Sequence, residues 1–176
     1  MAYDKNKLGE LILYVALKCH ADPNFGKVKL NKILFYADFN AYMKRGKSIT
    51  EAVYKKREFG PCAHQFMPVV DTLEAAGRAA WQRASVGPHT QHRLVALEEP
   101  NLDLFAGGEV AIVDDVIEQL AGKTGTQISE ESHELPGWRF AELGADIPYF
   151  TACLPTRPIP LTEKESAWMA QVVATL

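Results

Sequence analysis

Apolar residues recur at helical spacing near the start of the chain. Leu8, Leu11, Ile12 and Val15 follow the i, i+3, i+4, i+7 rule, behind an Asp4 whose carboxylate can cap the first turn. The pattern stops before Asp22-Pro23, because a residue preceding proline avoids the helical region. A second helix is predicted from about Lys27 to Arg45. Leu30, Ile33, Leu34, Ala37 and Ala41 form its core stripe, with Lys29, Lys32 and Asp38 off that stripe. Lys44 and Arg45 suit the negative helix end, and Gly46 supplies a left-handed stop.

Beyond it the period changes. Ser48–Tyr54 reads as extended and suited to pairing later in the chain, and Gly60-Pro61 breaks it. Pro68 fits the first turn of a short helix with Val69, Val70 and Leu73 inward and Gly77 as its stop. Residues 80–86 and 91–97 flank Gly87-Pro88 and predict a hairpin with a loop longer than two residues. Helical spacing then returns in Val110, Val113, Val116, Ile117 and Leu120, closed by Gly122. A short helix over about Thr126–Glu134 follows, then a helical turn carrying Trp138 and Phe140. Residues 147–160 hold four prolines and read as an irregular cover. Thr162 and Glu165 form a capping box opening a last helix of Trp168, Met169, Val172 and Val173. The fold class is mainly α (α+β): a compact multi-helix domain with one β-hairpin and a short extra strand.

Length and composition narrow the class. The chain has 176 residues, 47% hydrophobic and 23% charged, which fits one domain with its own core. That domain is taken as residues 1–176, with a core over about 5–150 and a Pro-rich cover and helix over 151–176. No apolar run suits a bilayer span and the first residues lack a signal-peptide core, so a cytoplasmic protein without a membrane partner is expected. Cys19, Cys62 and Cys153 are an odd set without C-x-x-C spacing and read as reduced thiols. Charge is uneven: residues 1–60 carry 12 Lys and Arg against 6 Asp and Glu, and the rest carry 7 against 16. Either the halves face each other across one fold, which we favour, or the basic half meets a nucleic acid or acidic partner.

Candidate chemistry is thin. Gly122-Lys-Thr124 lacks the glycine that a phosphate-binding loop places five residues before its Gly-Lys pair, since position 117 is Ile. His133-Glu134 meets Gly137 where a zinc-protease helix needs its second His. His89 and His92 have no cysteine or carboxylate cluster beside them, and Asp114, Asp115 and Glu118 read as a solvated face. Ser129, Ser132 and His133 sit without a nucleophile elbow or an oxyanion glycine pattern, which leaves a hydrolase using His133 a distant third reading. No catalytic residue, metal ligand or cofactor is expected. The helix–helix–hairpin order also fits a winged-helix DNA-binding regulator with the second helix reading bases, but Phe35, Tyr36 and Phe39 suit burial or a protein partner better.

Four stretches, in order, carry a resemblance. They are Lys29-Leu-Asn-Lys-Ile-Leu-Phe-Tyr-Ala-Asp-Phe39, Gly46-Lys-Ser-Ile-Thr50, Phe59-Gly-Pro61 and Ile128-Ser-Glu-Glu-Ser-His-Glu-Leu-Pro-Gly-Trp138. Together they resemble the SocA-like antitoxin family, also called the Panacea domain, over roughly residues 5–150. The resemblance implies a non-enzymatic, often phage-associated antitoxin that neutralises a protein toxin by direct contact. It also implies, for at least one kind of member, delivery of the toxin to an AAA+ protease. Nucleic acid is not expected as a direct partner. At the matched positions, Lys32, Asp38 and His133 are expected to form a buried polar network, with Asp38 pairing to Lys32 or His133. Tyr36, Phe39, Tyr42, Arg45 and Tyr54 are the candidate toxin contacts, because interface cores favour aromatic residues and Arg.

Overall fold

The computed structural model of the chain describes residues 3–86, 89–157, 160 and 162–173. Helix α1 spans Lys5–Lys18 and α2 spans Lys27–Arg45, followed by a hairpin of β1 (Tyr54–Arg57) and β2 (Gly60–Ala63). Helix α3 (Phe66–Ala75) leads to a second hairpin, β3 (Ala79–Val86) and β4 (His89–Ala96). The helices α4 (Gly107–Gln119), α5 (Gly125–His133), α6 (Pro136–Phe140) and α7 (Glu163–Val173) complete the order, with 3-10 turns at Leu102–Leu104 and Tyr149–Cys153. The architecture is mainly α with two small antiparallel two-stranded sheets.

The predicted helices form where their punctuation places them. Asp4 accepts the Lys7 N–H at 2.9 Å, and Gly46 ends α2 at φ 72°. Thr124 and Gln127 make a reciprocal cap at the start of α5. Thr162 and Glu165 do the same for α7.

Helix α2 is the axis of the fold, packed by α1, α4, α5, β2, β4 and the Tyr149–Cys153 turn. Lys29, Asn31, Lys32 and Asp38, although off its apolar stripe, are all buried, because neighbours cover the helix on nearly every side. Lys29 is tied to Asp22 at 2.7 Å and to the Lys123 carbonyl at 2.9 Å.

The uneven charge folds onto itself. Basic residues of α1 and α2 meet the acidic flank of α4: Lys7 and Arg45 reach Glu109 at 2.7 and 2.9 Å, and Lys18 reaches Asp114 at 3.3 Å. Lys44 reaches Asp115 at 3.5 Å.

The extra strand is one arm of a second hairpin. Residues 48–53 are irregular, with bends at Ile49 and Thr50, and Tyr54–Arg57 pairs with Gly60–Ala63 across a two-residue turn, Glu58-Phe59. Gly60-Pro61 therefore opens β2, where φ of 96° at Gly60 lets the chain reverse. Residues 144–147 bond to the other edge of β1, through Ile147 N–H to Tyr54 O at 2.7 Å and Lys56 N–H to Ala145 O at 2.9 Å. In the longer hairpin Val86 pairs with His89, so two residues separate the strands where a longer loop was expected. The Gly87-Pro88 turn itself, and the side chains of His89 and Met169, lie outside the described residues.

Candidate functional site

The motif residues converge on the short hairpin from two directions. At its tip, the buried Lys32 ammonium donates to the carbonyls of Phe59 and Pro61. The Ser129 hydroxyl donates to the same Phe59 carbonyl at 3.0 Å, and the Trp138 indole N–H donates to Arg57 O at 3.2 Å. A side chain at Gly60 would run into Ser132 Oγ and the end of Lys32, so only glycine fits where α2, α5 and the turn meet. Burial pushes the Lys32 amine down to about 8. Beside it, Cys62 donates to Asn31 Oδ1 at 2.9 Å, and burial pushes that thiol up.

At the base of the hairpin, Asp38 is fully buried and accepts from the backbone N–H groups of Ile49 and Thr50, both at 2.8 Å. It also accepts from the hydroxyls of Thr50 and Tyr54. Burial raises its pKa, and these hydrogen bonds oppose that rise by favouring the carboxylate. Asp38 thus fastens the Gly46–Thr50 stretch and β1 onto α2.

This arrangement corrects the single network expected of Lys32, Asp38 and His133. Asp38 lies six positions after Lys32, which at about 100° per residue places them on different sides of one helix. Asp38 serves the base and Lys32 the tip. His133 lies with Lys32: its ring stacks on Trp138 at 3.9 Å and bonds to the Glu58 backbone. Burial, then the Lys32 charge, holds its pKa below the usual histidine value. Its Nε2 is buried without a partner among the described residues. The Ser132 hydroxyl donates to Ser129 O at 2.7 Å, within its own helix. Among the described residues no three His, Cys, Asp or Glu side chains gather as a metal site.

The candidate contact residues divide. Phe39 and Tyr54 are buried, and with Phe35 and Tyr149 they form an aromatic cluster with centroids 4.1–6.2 Å apart; Tyr54 is core, whereas Phe39 also lines the groove beside α2. Tyr42 is half-buried and stacks on Tyr149. Arg45 is exposed at the end of α2 but engaged by Glu109. Tyr36 is half-buried and lines a groove of about 120 Å³ between α2, α6 and the Tyr149–Cys153 turn. Of the groove's lining residues Met43 and Leu154 are exposed; on the elements that wall it, Phe150 of the 3-10 turn is exposed and α6 ends in an 81% exposed Phe140 followed by exposed Leu143.

Sequence reasoning missed this face, because isolated aromatics in a Pro-rich segment carry no periodicity. It also missed Tyr149, whose hydroxyl donates to Ala52 O at 2.6 Å, although Pro148 directly before it marks a chain turned inward. Of the polar residues that a reading helix would offer, Lys29 and Lys32 are buried within the fold, while Asn40 is half-buried and Lys44 and Arg45 are exposed.

No curated protein and no solved structure matches the chain. A family model described as antitoxin SocA-like, Panacea domain, matches residues 30–139, from α2 through the short hairpin to the Trp138 that closes it. The buried lysine, the Gly-Pro step and the Ser-x-x-Ser-His helix all lie in that span, and the chain belongs to the SocA-like antitoxin, Panacea domain, family.

Proposed function

We propose that this protein is an antitoxin that neutralises a cognate protein toxin by direct binding and performs no chemistry of its own. Family membership points to a toxin–antitoxin role. The observation that carries the reading to a surface is the groove beside α2, lined by exposed Met43 and Leu154, with exposed Phe140 and Phe150 on the α6 and 3-10 elements that wall it. Apolar side chains gathered at a concave surface are what a protein interface core needs, and charges there would cost desolvation. Tyr36 and Phe39 line the groove, and Tyr42 stacks on Tyr149 of the 3-10 turn; all three remain candidate contacts. Arg45 is exposed at the end of α2, and its pairing with Glu109 leaves it less to offer. Neutralisation is by occlusion, in which bound antitoxin masks the toxin's working surface. Delivery to an AAA+ protease rests on the family alone and adds a second partner to the same scheme.

No helix among the described residues is long and apolar enough to cross a membrane, which is in keeping with work on a protein partner. The test is affinity purification of the tagged protein expressed from its native locus. The expected result is one stoichiometric protein, encoded next to it and toxic when expressed alone. DNA in place of that protein, with an affinity falling steeply as salt rises, would overturn the reading.

A further inference from the structure

The turn of the short hairpin is fixed through its backbone. Gly60 at φ 96° supplies its left-handed position, the Phe59 carbonyl accepts from Lys32 and Ser129, and the Arg57 carbonyl accepts from Trp138. None of these bonds calls for an aromatic at position 59, where turns ordinarily carry polar residues. Yet Phe59 stands there 64% exposed, and among the described residues it joins neither the core nor any aromatic pair. An apolar side chain on a backbone already held in place loses little freedom when a partner covers it, which is what an interface anchor needs.

The surroundings of that side chain are basic. Lys27, Lys32 and Arg57 all act on the Cys62 thiol, and Lys32 and Lys56 on His133, so these cations surround one turn. Lys32 is buried, and Lys56 donates to Ala141 O at 3.0 Å and lies over the Trp138 ring. That leaves exposed Arg57, and exposed Lys27, which reaches only the Trp81 ring at 5.9 Å. Neither has a carboxylate partner among the described residues, unlike the basic residues paired with α4. The opposing charges are Glu58 in the turn and Glu130, which acts on His133. Two free cations beside a glutamate are too few for a nucleic acid, whose affinity comes from many neutralised phosphates. They suit the acidic rim of a protein pocket. Helix α6 joins the turn to the groove: its Pro136 and Gly137 line the groove, and its Trp138 holds the hairpin. With only one helix of about 10–12 Å diameter between them, an interface of roughly 800 Å² per partner covers both.

We infer that Phe59 is an anchor of the protein interface, entering an apolar pocket with an acidic rim on the same toxin that the groove meets. The inference rests on the toxin-binding reading for the identity of that partner. Calorimetric titration of the protein that co-purifies from the native locus, at low and at high salt, tests it. Phe59→Ala leaves the bonded carbonyl in place, so its melting temperature should match wild type while binding weakens roughly 30-fold or more at either salt concentration. Arg57→Glu should weaken binding about tenfold at low salt and less at high salt. Wild-type binding by either variant overturns the anchor and leaves the toxin reading standing. So does a single-stranded DNA oligonucleotide that binds more tightly than that protein and is lost in Phe59→Ala, which would make the ring a stacking platform. If no protein co-purifies, the toxin reading fails and takes this inference with it.

Discussion

The two hairpins of this molecule are held by opposite means. The short one has four-residue strands, and its stability comes from outside it. Lys32, Ser129 and Trp138 hold its carbonyls, Asp38 and Tyr54 anchor its base, and residues 144–147 bond along its free edge. The long one has eight paired positions and relies on its own ladder, with Ala79 and Leu94 buried against the helices. Strand length accounts for the difference. A two-stranded hairpin is marginal in water, and four residues per strand supply too little pairing to stand alone. The short hairpin therefore needs buried polar groups, and the residues resembling the family's motifs are largely those groups. In this chain they mark a construction requirement more than a contact surface.

The comparison breaks most readily at Asp38. Asp38→Ala strands two buried backbone N–H groups and two hydroxyls and should cost about 3–5 kcal/mol in urea denaturation. Leu94→Ala in the long hairpin should cost about 2–4 kcal/mol through a cavity alone. A smaller loss at Asp38 than at Leu94, or an Asp38 variant as stable as wild type, would deny the short hairpin its polar anchor.

Two glycines at positive φ sharpen the same contrast. Gly60→Ala adds a clash with Ser132 and Lys32 to its backbone strain and should cost about 2–4 kcal/mol, whereas Gly77, with open space around it, should lose about 1 kcal/mol. Similar thermal shifts for the two would mean that the tip is loosely packed.

The Lys32 amine makes a prediction in pH. Its folded pKa of about 8 lies below the unfolded value of roughly 10.4. Between those values the unfolded chain keeps a proton that the folded chain has released, so stability rises with pH, by roughly 1–3 kcal/mol. Denaturation at about pH 7 and about pH 10 should show wild type gaining on Lys32→Met across that window. Parallel curves would place the amine in water. The smallest effect belongs to the long hairpin's exposed face, where Arg83→Glu should change stability by less than about 0.5 kcal/mol.

What could be read from the sequence follows the same division. Helices α1, α2 and α5 declare themselves through local punctuation, and α2 lies over the residues its period and its stop glycine predict. The long hairpin is legible because eight residues per strand carry a β pattern. The short hairpin is not, since Tyr-Lys-Lys-Arg and Gly-Pro-Cys-Ala have no alternation and form strands only against α2 and α5. Burial of Lys32 and Asp38 is expected from the motif resemblance but not from the helical pattern, and burial of Lys29 from neither. Helical period tells which face is most apolar, and a central helix covered on nearly every side has no polar face left to find. Tyr54, offered as a contact, is core, because aromatic identity alone does not separate core from interface.

The central claim is that motif residues build the frame while the exposed face around the groove meets the partner. It is tested most directly by titrating the protein that co-purifies from the native locus into the Met43→Asp/Phe140→Asp double variant, with its melting temperature measured alongside. Both side chains are exposed, so the account predicts an unchanged melting temperature with binding weakened roughly 100-fold or more. Binding at wild-type strength by that variant would contradict it.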